Sequence, residues 1–488
     1  MRHEAMKKHL ISLGLIRFFA ISLSLILSYQ LKAQSYDVAI TIHLRNVYES
    51  KISLLALSDS RTFKPIFEIN VKGNGDGVKL TVPKEKLPGE FVLRFDYKEK
   101  KSSTPYPSEK YFFINDQGLE LWVNPMYCNN PDSCYFQKDE RENATFVKFS
   151  KENGRQKEKL GLLQNFLMNY DETESAFYLQ GIQEYEQRRQ LYDQWLKTQE
   201  QQNKALFVSH LYCFQYVPEI PWKGNVNERI ISLINHYFDN MDFQDPVLVK
   251  TSDLNKWMDG YVNLYGQLAT TVALRDSLFP LAGKNAIEKA KQGNPLVYGW
   301  IVDYFYRGYE SNGITAGLKI LEPYLKDSTC ITSKRQEIKR RLKGIETLVA
   351  GSIAPNIIMT DTNGNLFELN KLDTQFKYIL ILFWSAGCSH CMEMVNSLYP
   401  WQQQPEIQQK IKVVAISLDE NETEIKSYKH KIEELNGWTH LHATEGVRSK
   451  EASDYYVLAT PVMILIDAKT KKIIATPNAL NELMTAIK

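Results

Sequence analysis

Seven consecutive apolar residues, Tyr378-Ile379-Leu380-Ile381-Leu382-Phe383-Trp384, stand just ahead of Cys388-Ser389-His390-Cys391. A run with no polar break fits a strand covered on both faces, as in parallel sheets flanked by helices. That requirement dictates an α/β layer architecture for this part of the chain. The residues that follow supply the other layers. Cys388 to Tyr399 reads as a helix with Met392, Val395 and Tyr399 on one side, ended by Pro400. Val413 to Leu418 is a second buried strand, and Ile425, Tyr428, Ile432 and Leu435 line a helix that stops at Gly437. Val462–Ile466 and Lys472–Ala475 are expected to pair antiparallel, and Leu480, Leu483, Met484 and Ile487 mark a last amphipathic helix.

The cysteine pair carries the chemistry. Two intervening residues in a helical turn bring the sulfurs within bonding reach. The first cysteine sits at the helix N-terminus, where unpaired N–H groups and the dipole favour a negative charge, hence a thiolate. His390 beside it adds to that stabilisation and leans the pair towards oxidation. Cys388 is therefore expected as the attacking nucleophile and Cys391, a turn deeper, as the resolving thiol. A static disulfide or half a zinc site is the competing reading. Zinc takes four ligands in structural sites, and His440-x-His442 could supply two. Nothing else ties these histidines to the cysteines, so they read as ordinary strand residues and no metal or other cofactor is expected. Thr460-Pro461 opens the strand that ends at Asp467, a position where proline is tolerated.

Phe383-Trp384-x-x-x-Cys388-x-x-Cys391, Val413-Val414-Ala415-Ile416-Ser417-Leu418-Asp419 and Thr460-Pro461 before Ile464-Leu465-Ile466-Asp467 together resemble the thioredoxin-like thiol–disulfide oxidoreductases of the TlpA/ResA type. The resemblance covers residues 351–488. It implies a thioredoxin fold, an exposed nucleophile at Cys388, a buried partner at Cys391, and a cis bond before Pro461. It also implies that Thr460, Pro461 and Trp384 meet the substrate, Thr460 through its backbone. Two features depart from the pattern. The family often carries Glu three residues after the second cysteine and Pro two further on, where this chain has Met394 and Asn396. Leu382 occupies the strand position of the carboxylate buried in thioredoxins. The usual proton acceptor for Cys391 is thus missing, with Glu393, His390 or water as substitutes. A thiol peroxidase is a second enzyme reading, but Ser385 stands where such enzymes carry Thr.

The rest of the chain is organised differently. At 488 residues it exceeds one ordinary core, and 43% hydrophobic with 24% charged residues is globular composition. Residues 35–150 alternate with period two at Val38, Ile40, Ile42 and Leu44, at Val78, Leu80 and Val82, at Phe91, Leu93, Phe95 and Tyr97, and at Leu119, Leu121 and Val123. With Gly- and Asn-rich turns between, this predicts an all-β sandwich-like domain of unknown function. Residues 155–348 change to helical spacing at Tyr178, Ile182, Tyr185, Tyr192 and Leu196, with Pro218, Pro221, Pro246, Pro280 and Pro295 breaking the run into helices. The basic stretch Lys334–Lys343 reads as a solvated face leading into the linker at Gly351.

The address is read from the N-terminus. Lys7, Lys8 and Arg17 precede an uncharged, mostly apolar run from Phe18 to Leu31, followed by Ala33. Residues 1–33 thus read as a signal peptide, too short in its apolar part to span a membrane. The chain is expected to be exported, in all expectation to the periplasm, with membrane contact only if that segment is retained. Six cysteines in so long a chain are too few for a disulfide scaffold. In an oxidising compartment Cys128 and Cys134 are expected to form a local structural disulfide. A net charge of +2 supplies no basic face for nucleic acid. The expected partners are protein clients carrying thiols or disulfides, and a redox donor. The reading from another class is a binding or scaffold protein for a protein or glycan, with the redox domain as an accessory.

Overall fold

The computed structural model describes residues 36–59, 61–74, 77–372 and 375–487. The expected signal peptide lies outside the described residues. No helix among those described is long and apolar enough to cross a membrane. The chain forms two compact units. The first takes the described residues up to Thr270 with Gln292–Val297; the second takes Thr271–Lys291 and Tyr298–Lys488. The helical stretch is shared between them.

The first unit opens with a β sandwich. One sheet has the order β4-β1-β7-β8, where β1 is Val38–Leu44, β4 Val78–Val82, β7 Leu119–Val123 and β8 Cys134–Phe136. The other has the order β3-β2-β5-β6, from β2 (Glu49–Leu57), β3 (Phe63–Lys72), β5 (Gly89–Lys98) and β6 (Tyr106–Ile114). Alternate residues of both sheets meet in one core: Ile40, Ile42, Leu80 and Leu121 from one side, Ile52, Leu54, Phe91 and Phe95 from the other. Cys128 and Cys134 lie in the same core. Both are free thiols rather than the expected disulfide. The Cys128 thiol turns to donate to the Glu109 carbonyl on β6, while Cys134 is held in register opposite Val123. Helices Glu142–Asn169 and Ala176–Gln202 follow, packed through Tyr178, Tyr185, Tyr192 and Leu196.

In the second unit Pro280 does not break a helix as expected; it lies inside Val272–Ala290. Proline removes one N–H from the ladder, and here the residue is itself buried together with Ala282, Ala286 and Ile287. The basic stretch forms helix Arg335–Thr347. It is not wholly solvated: Ile338 and Leu342 are buried, Arg340 donates to the Ala452 carbonyl, and Gly344 packs on Tyr456 so closely that a Cβ there would sit 2.7 Å from the tyrosine's own. The segment beyond it joins the sheet edge, with Gly351 N–H on the Ile473 carbonyl and Ala354 N–H on that of Lys471.

The C-terminal sheet has five strands in the order β13-β12-β11-β14-β15. Its centre is β11 (Tyr378–Trp384), parallel to β12 (Ile411–Ser417) and antiparallel to β14 (Val462–Asp467). On the flanks lie β13 (Thr439–His442), parallel to β12, and β15 (Ile473–Ala475), antiparallel to β14. A short hairpin, β9 (Ile358–Thr360) and β10 (Leu366–Glu368), precedes the sheet. Every residue of β11 is buried. Ile379, Ile381 and Phe383 enter one core, and Leu380, Leu382 and Trp384 the other. The period of two along one apolar strand thus builds both layers. The fold is multidomain: a strand-rich sandwich, a helical region and a C-terminal α/β thioredoxin fold.

Candidate active site

The first cysteine is placed by a strand-to-helix turn. β11 ends at Trp384, and helix Ser389–Gln402 begins after Cys388, which is its N-cap in extended conformation. The helix runs past Pro400, the expected stop, because proline costs only its own N–H and ring contact within the last turn. As N-cap, Cys388 turns its Sγ back over the helix start and accepts the Cys391 N–H at 3.2 Å. Its thiol is half-buried. It lies 3.6 Å from the Thr460 carbonyl, to which it donates.

One turn on, Cys391 has no exposed surface. It shares one apolar core with Leu380, Leu382, Trp384 and Val395. Burial in that apolar wall pushes its thiol up to about 12, and the hydrogen bond with Cys388 adds to the rise; contacts with Thr460 and the Ser385 backbone oppose it. The two sulfurs are thus unequal. One meets solvent at a helix N-terminus, and the other keeps its proton.

The remaining expected residues are dispersed. Thr460 and Pro461 are half-buried beside Cys388, and the bond between them is cis. Trp384, expected as a substrate contact, is wholly buried. The alternation of β11 turns it into the Cys391 core, where its ring meets Tyr428 at 5.9 Å. His390 stands away from the sulfurs. Its side chain is 83% exposed and its Nδ1 lies 3.6 Å from Glu393; among the described residues its ring bonds neither cysteine. Helix geometry explains this, since i and i+3 share a face while adjacent residues diverge by about 100°. His440 and His442 are indeed on β13, where their Nε2 atoms serve the carbonyls of Leu435 and Asp419.

One polar group escaped the sequence reading. Asp419 follows β12 and is fully buried. It accepts Ser385 Oγ at 2.5 Å, the Ala386 N–H at 3.0 Å, the Gly387 N–H at 3.4 Å and Ser417 Oγ at 2.7 Å. Its position had a sequence signal. β11 and β12 are parallel, so their C-terminal ends share one sheet edge, and an acid directly after the second apolar run falls beside the residues directly after the first.

Among the described residues no cluster of His, Cys, Asp and Glu is arranged to hold a metal ion. The arrangement offers instead a paired, unequal dithiol. A five-stranded sheet in which only β14 runs against the rest, a Cys-x-x-Cys at the first helix after its central strand and a cis proline beside it define a thioredoxin-like domain.

Known proteins agree with that class. A family model described as thioredoxin-like matches residues 375–473. Over 86 residues the chain is 30% identical to the thiol-disulfide oxidoreductase ResA of Bacillus cereus, covering 17% of this chain and 46% of that protein. The ResA of Bacillus anthracis is 29% identical over the same length. The chain therefore spans about half the length of the curated relatives it matches. Among solved structures, a thioredoxin-like protein from Bacteroides caccae is 20% identical, with 55% of this chain and 96% of that one covered at a TM-score of 0.38. The thioredoxin domain of a thiol-disulfide oxidoreductase from Bacteroides vulgatus is 28% identical over 29% of this chain and 96% of its own, with a TM-score of 0.25. Residues 375–473 thus match the thioredoxin-like family, and this part of the chain is similar to ResA.

Proposed function

We propose that this chain is an exported thiol–disulfide oxidoreductase, working in the periplasm on protein clients through Cys388 and Cys391. The observation that carries the reading is the inequality of the two sulfurs: Cys388 half-exposed at the helix start beside the Thr460 carbonyl, Cys391 sealed behind it. In the reducing direction the Cys388 thiolate attacks one sulfur of a client disulfide, and the other client sulfur leaves as a thiolate. Cys391, deprotonated, then attacks Cys388 Sγ and releases the first client sulfur. Two electrons pass to the client, a Cys388–Cys391 bond forms, and the two protons end on the client thiols. The reverse sequence oxidises a client dithiol. A thiol partner must restore the starting state. Thr460 and Pro461 offer the client main chain a surface next to the reacting sulfur, and the solvent-facing His390 forms part of the rim.

Turnover of a model protein disulfide by the full chain tests this. C388A is expected to abolish exchange. C391A is expected to accumulate a mixed disulfide between Cys388 and the client, visible on a non-reducing gel. A wild-type protein that leaves the disulfide intact after full reduction ends the proposal.

A further inference from the structure

Three residues, Ser385-Ala386-Gly387, carry the chain from the buried strand β11 to Cys388. Such a short connection presents N–H and O–H groups that no strand or helix partner satisfies, and a donor facing away from water without a partner is costly. Asp419 meets them. The Ala386 N–H lies 3.0 Å from each carboxylate oxygen, the Ser385 hydroxyl and Gly387 N–H complete the set, and the Gly387 N–H is shared with Ser385 Oγ at 3.1 Å.

The carboxylate is itself held from below. Ser417 Oγ donates to it and accepts the Asp419 N–H. His442 on the neighbouring strand donates to the Asp419 carbonyl at 2.8 Å, and the Leu418 N–H meets the Trp384 carbonyl at 2.9 Å. Ser385 is where this clamp reaches the chemistry. Its carbonyl accepts the Cys388 N–H at 3.3 Å, and its backbone N–H is among the groups that favour the Cys391 anion.

We propose that Asp419 is a positioning residue for thiol exchange: it gathers the donors of Ser385, Ala386 and Gly387 and so fixes the turn that sets Cys388 Sγ over the first turn of its helix. This rests on the exchange activity proposed above. It assigns to Asp419 neither the seat nor the task of the thioredoxin carboxylate, whose strand position is Leu382. Asp419 works on the loop, and through the loop on the sulfurs.

The test uses the full-length protein and D419N. Asparagine keeps the size and one acceptor oxygen but turns an NH2 group towards donors. With the fold verified by circular dichroism, the variant is expected to lose about tenfold or more in kcat/KM, one misplaced hydrogen bond corresponding to roughly that factor. The pH midpoint of Cys388 alkylation is expected to move upward, because the sulfur is no longer held over the helix start. Removing a nearby negative charge alone would move it downward, so the sign separates positioning from simple charge. S385A, which deletes only the hydroxyl donor, is expected to shift the midpoint in the same direction by less and serves if D419N does not fold. An unchanged or lowered midpoint in a folded D419N, or in S385A standing in for it, overturns the proposal. A wild-type protein with no exchange at all fails the activity reading instead, and the two failures are read from separate samples.

Discussion

Selective alkylation of the reduced protein measures the inequality of the sulfurs directly. Cys391 has no exposed surface and its thiol is pushed up to about 12. At pH 8 such a thiol is ionised to roughly one part in 10,000, whereas an ordinary cysteine near 8.5 is about one quarter ionised. The thiolate is the nucleophile, so ionisation alone slows Cys391 by about three orders of magnitude relative to the same residue in the unfolded chain. Exclusion of the reagent slows it further. The assay treats reduced full-length protein with iodoacetamide at pH 8, quenches at intervals, and locates the label by tandem mass spectrometry. A parallel series in urea gives the unfolded rate for the same residue and removes differences between sequence contexts. The expected result is complete labelling at half-buried Cys388 while Cys391 stays unlabelled, and labelling of both in urea. A native Cys391 rate within tenfold of its urea rate would refute the argument, because neither desolvation nor enclosure could then be acting on that sulfur.

Two further outcomes follow from burial in the same domain. Ile381 is wholly buried in β11, with Val414 and Ile464 as its cross-strand neighbours; I381A should cost about 2–5 kcal/mol. A lower urea midpoint at unchanged slope checks this, and a loss below about 1 kcal/mol contradicts the two-sided burial of the strand. The second outcome concerns alkaline pH. In the unfolded chain Cys391 loses its proton near 8.5, but in the fold it keeps it up to about 12. Between these values the folded state holds the extra proton, so stability falls as pH rises, by up to about 1.4 kcal/mol per pH unit for this group. Burial raises Tyr428 in the same sense. Urea unfolding at pH 8 and pH 10 should therefore show a smaller loss in C391A than in wild type, and equal losses would remove Cys391 from the account.

How much of this was legible depended on whether burial was one-sided or two-sided, and on whether a contact was local. β1 and β7 alternate cleanly because one face meets the sandwich core, and β5 does so only beyond Leu93, its first five residues being buried throughout; Phe91, Leu93, Phe95 and Tyr97 were nonetheless read correctly. β2 was missed, since Ser50 and Ser53 are buried along with Ile52 and Leu54, which blurs the alternation. β11 announced itself by its unbroken run, and the N-cap geometry of Cys388 followed from the helix that must start after it. Trp384 was misassigned because its place in the motif was weighed more than its place in the strand: counting in twos from Leu380 puts it in the core. His390 was set beside the sulfur by adjacency in sequence, but on a helix adjacent side chains diverge, and its ring faces solvent. Asp419 was quoted only as the end of a motif, and its loop partners lie more than thirty residues earlier; only the parallel pairing of β11 and β12 brings them together.

The missing carboxylate acquires a physical meaning once these placements are combined. Leu382 sits in the layer with Trp384 and Cys391, so the strand side of the resolving sulfur is apolar. On the helix side Met394 stands where a glutamate would, and Glu393 points to solvent with His390. The buried carboxylate of Asp419 is already occupied by the loop. The described polar contacts of Cys391 are with Cys388, Thr460 and the Ser385 backbone, groups that surround the reacting bond itself. On the proposed activity, its proton would exit where a client would enter, and the resolving step would be tied to the approach of the client sulfur. The periodicity that makes β11 a two-faced strand is the same feature that seals Cys391, and the helix start that exposes Cys388 leaves the pair one accessible side, the side on which the proposed exchange would occur.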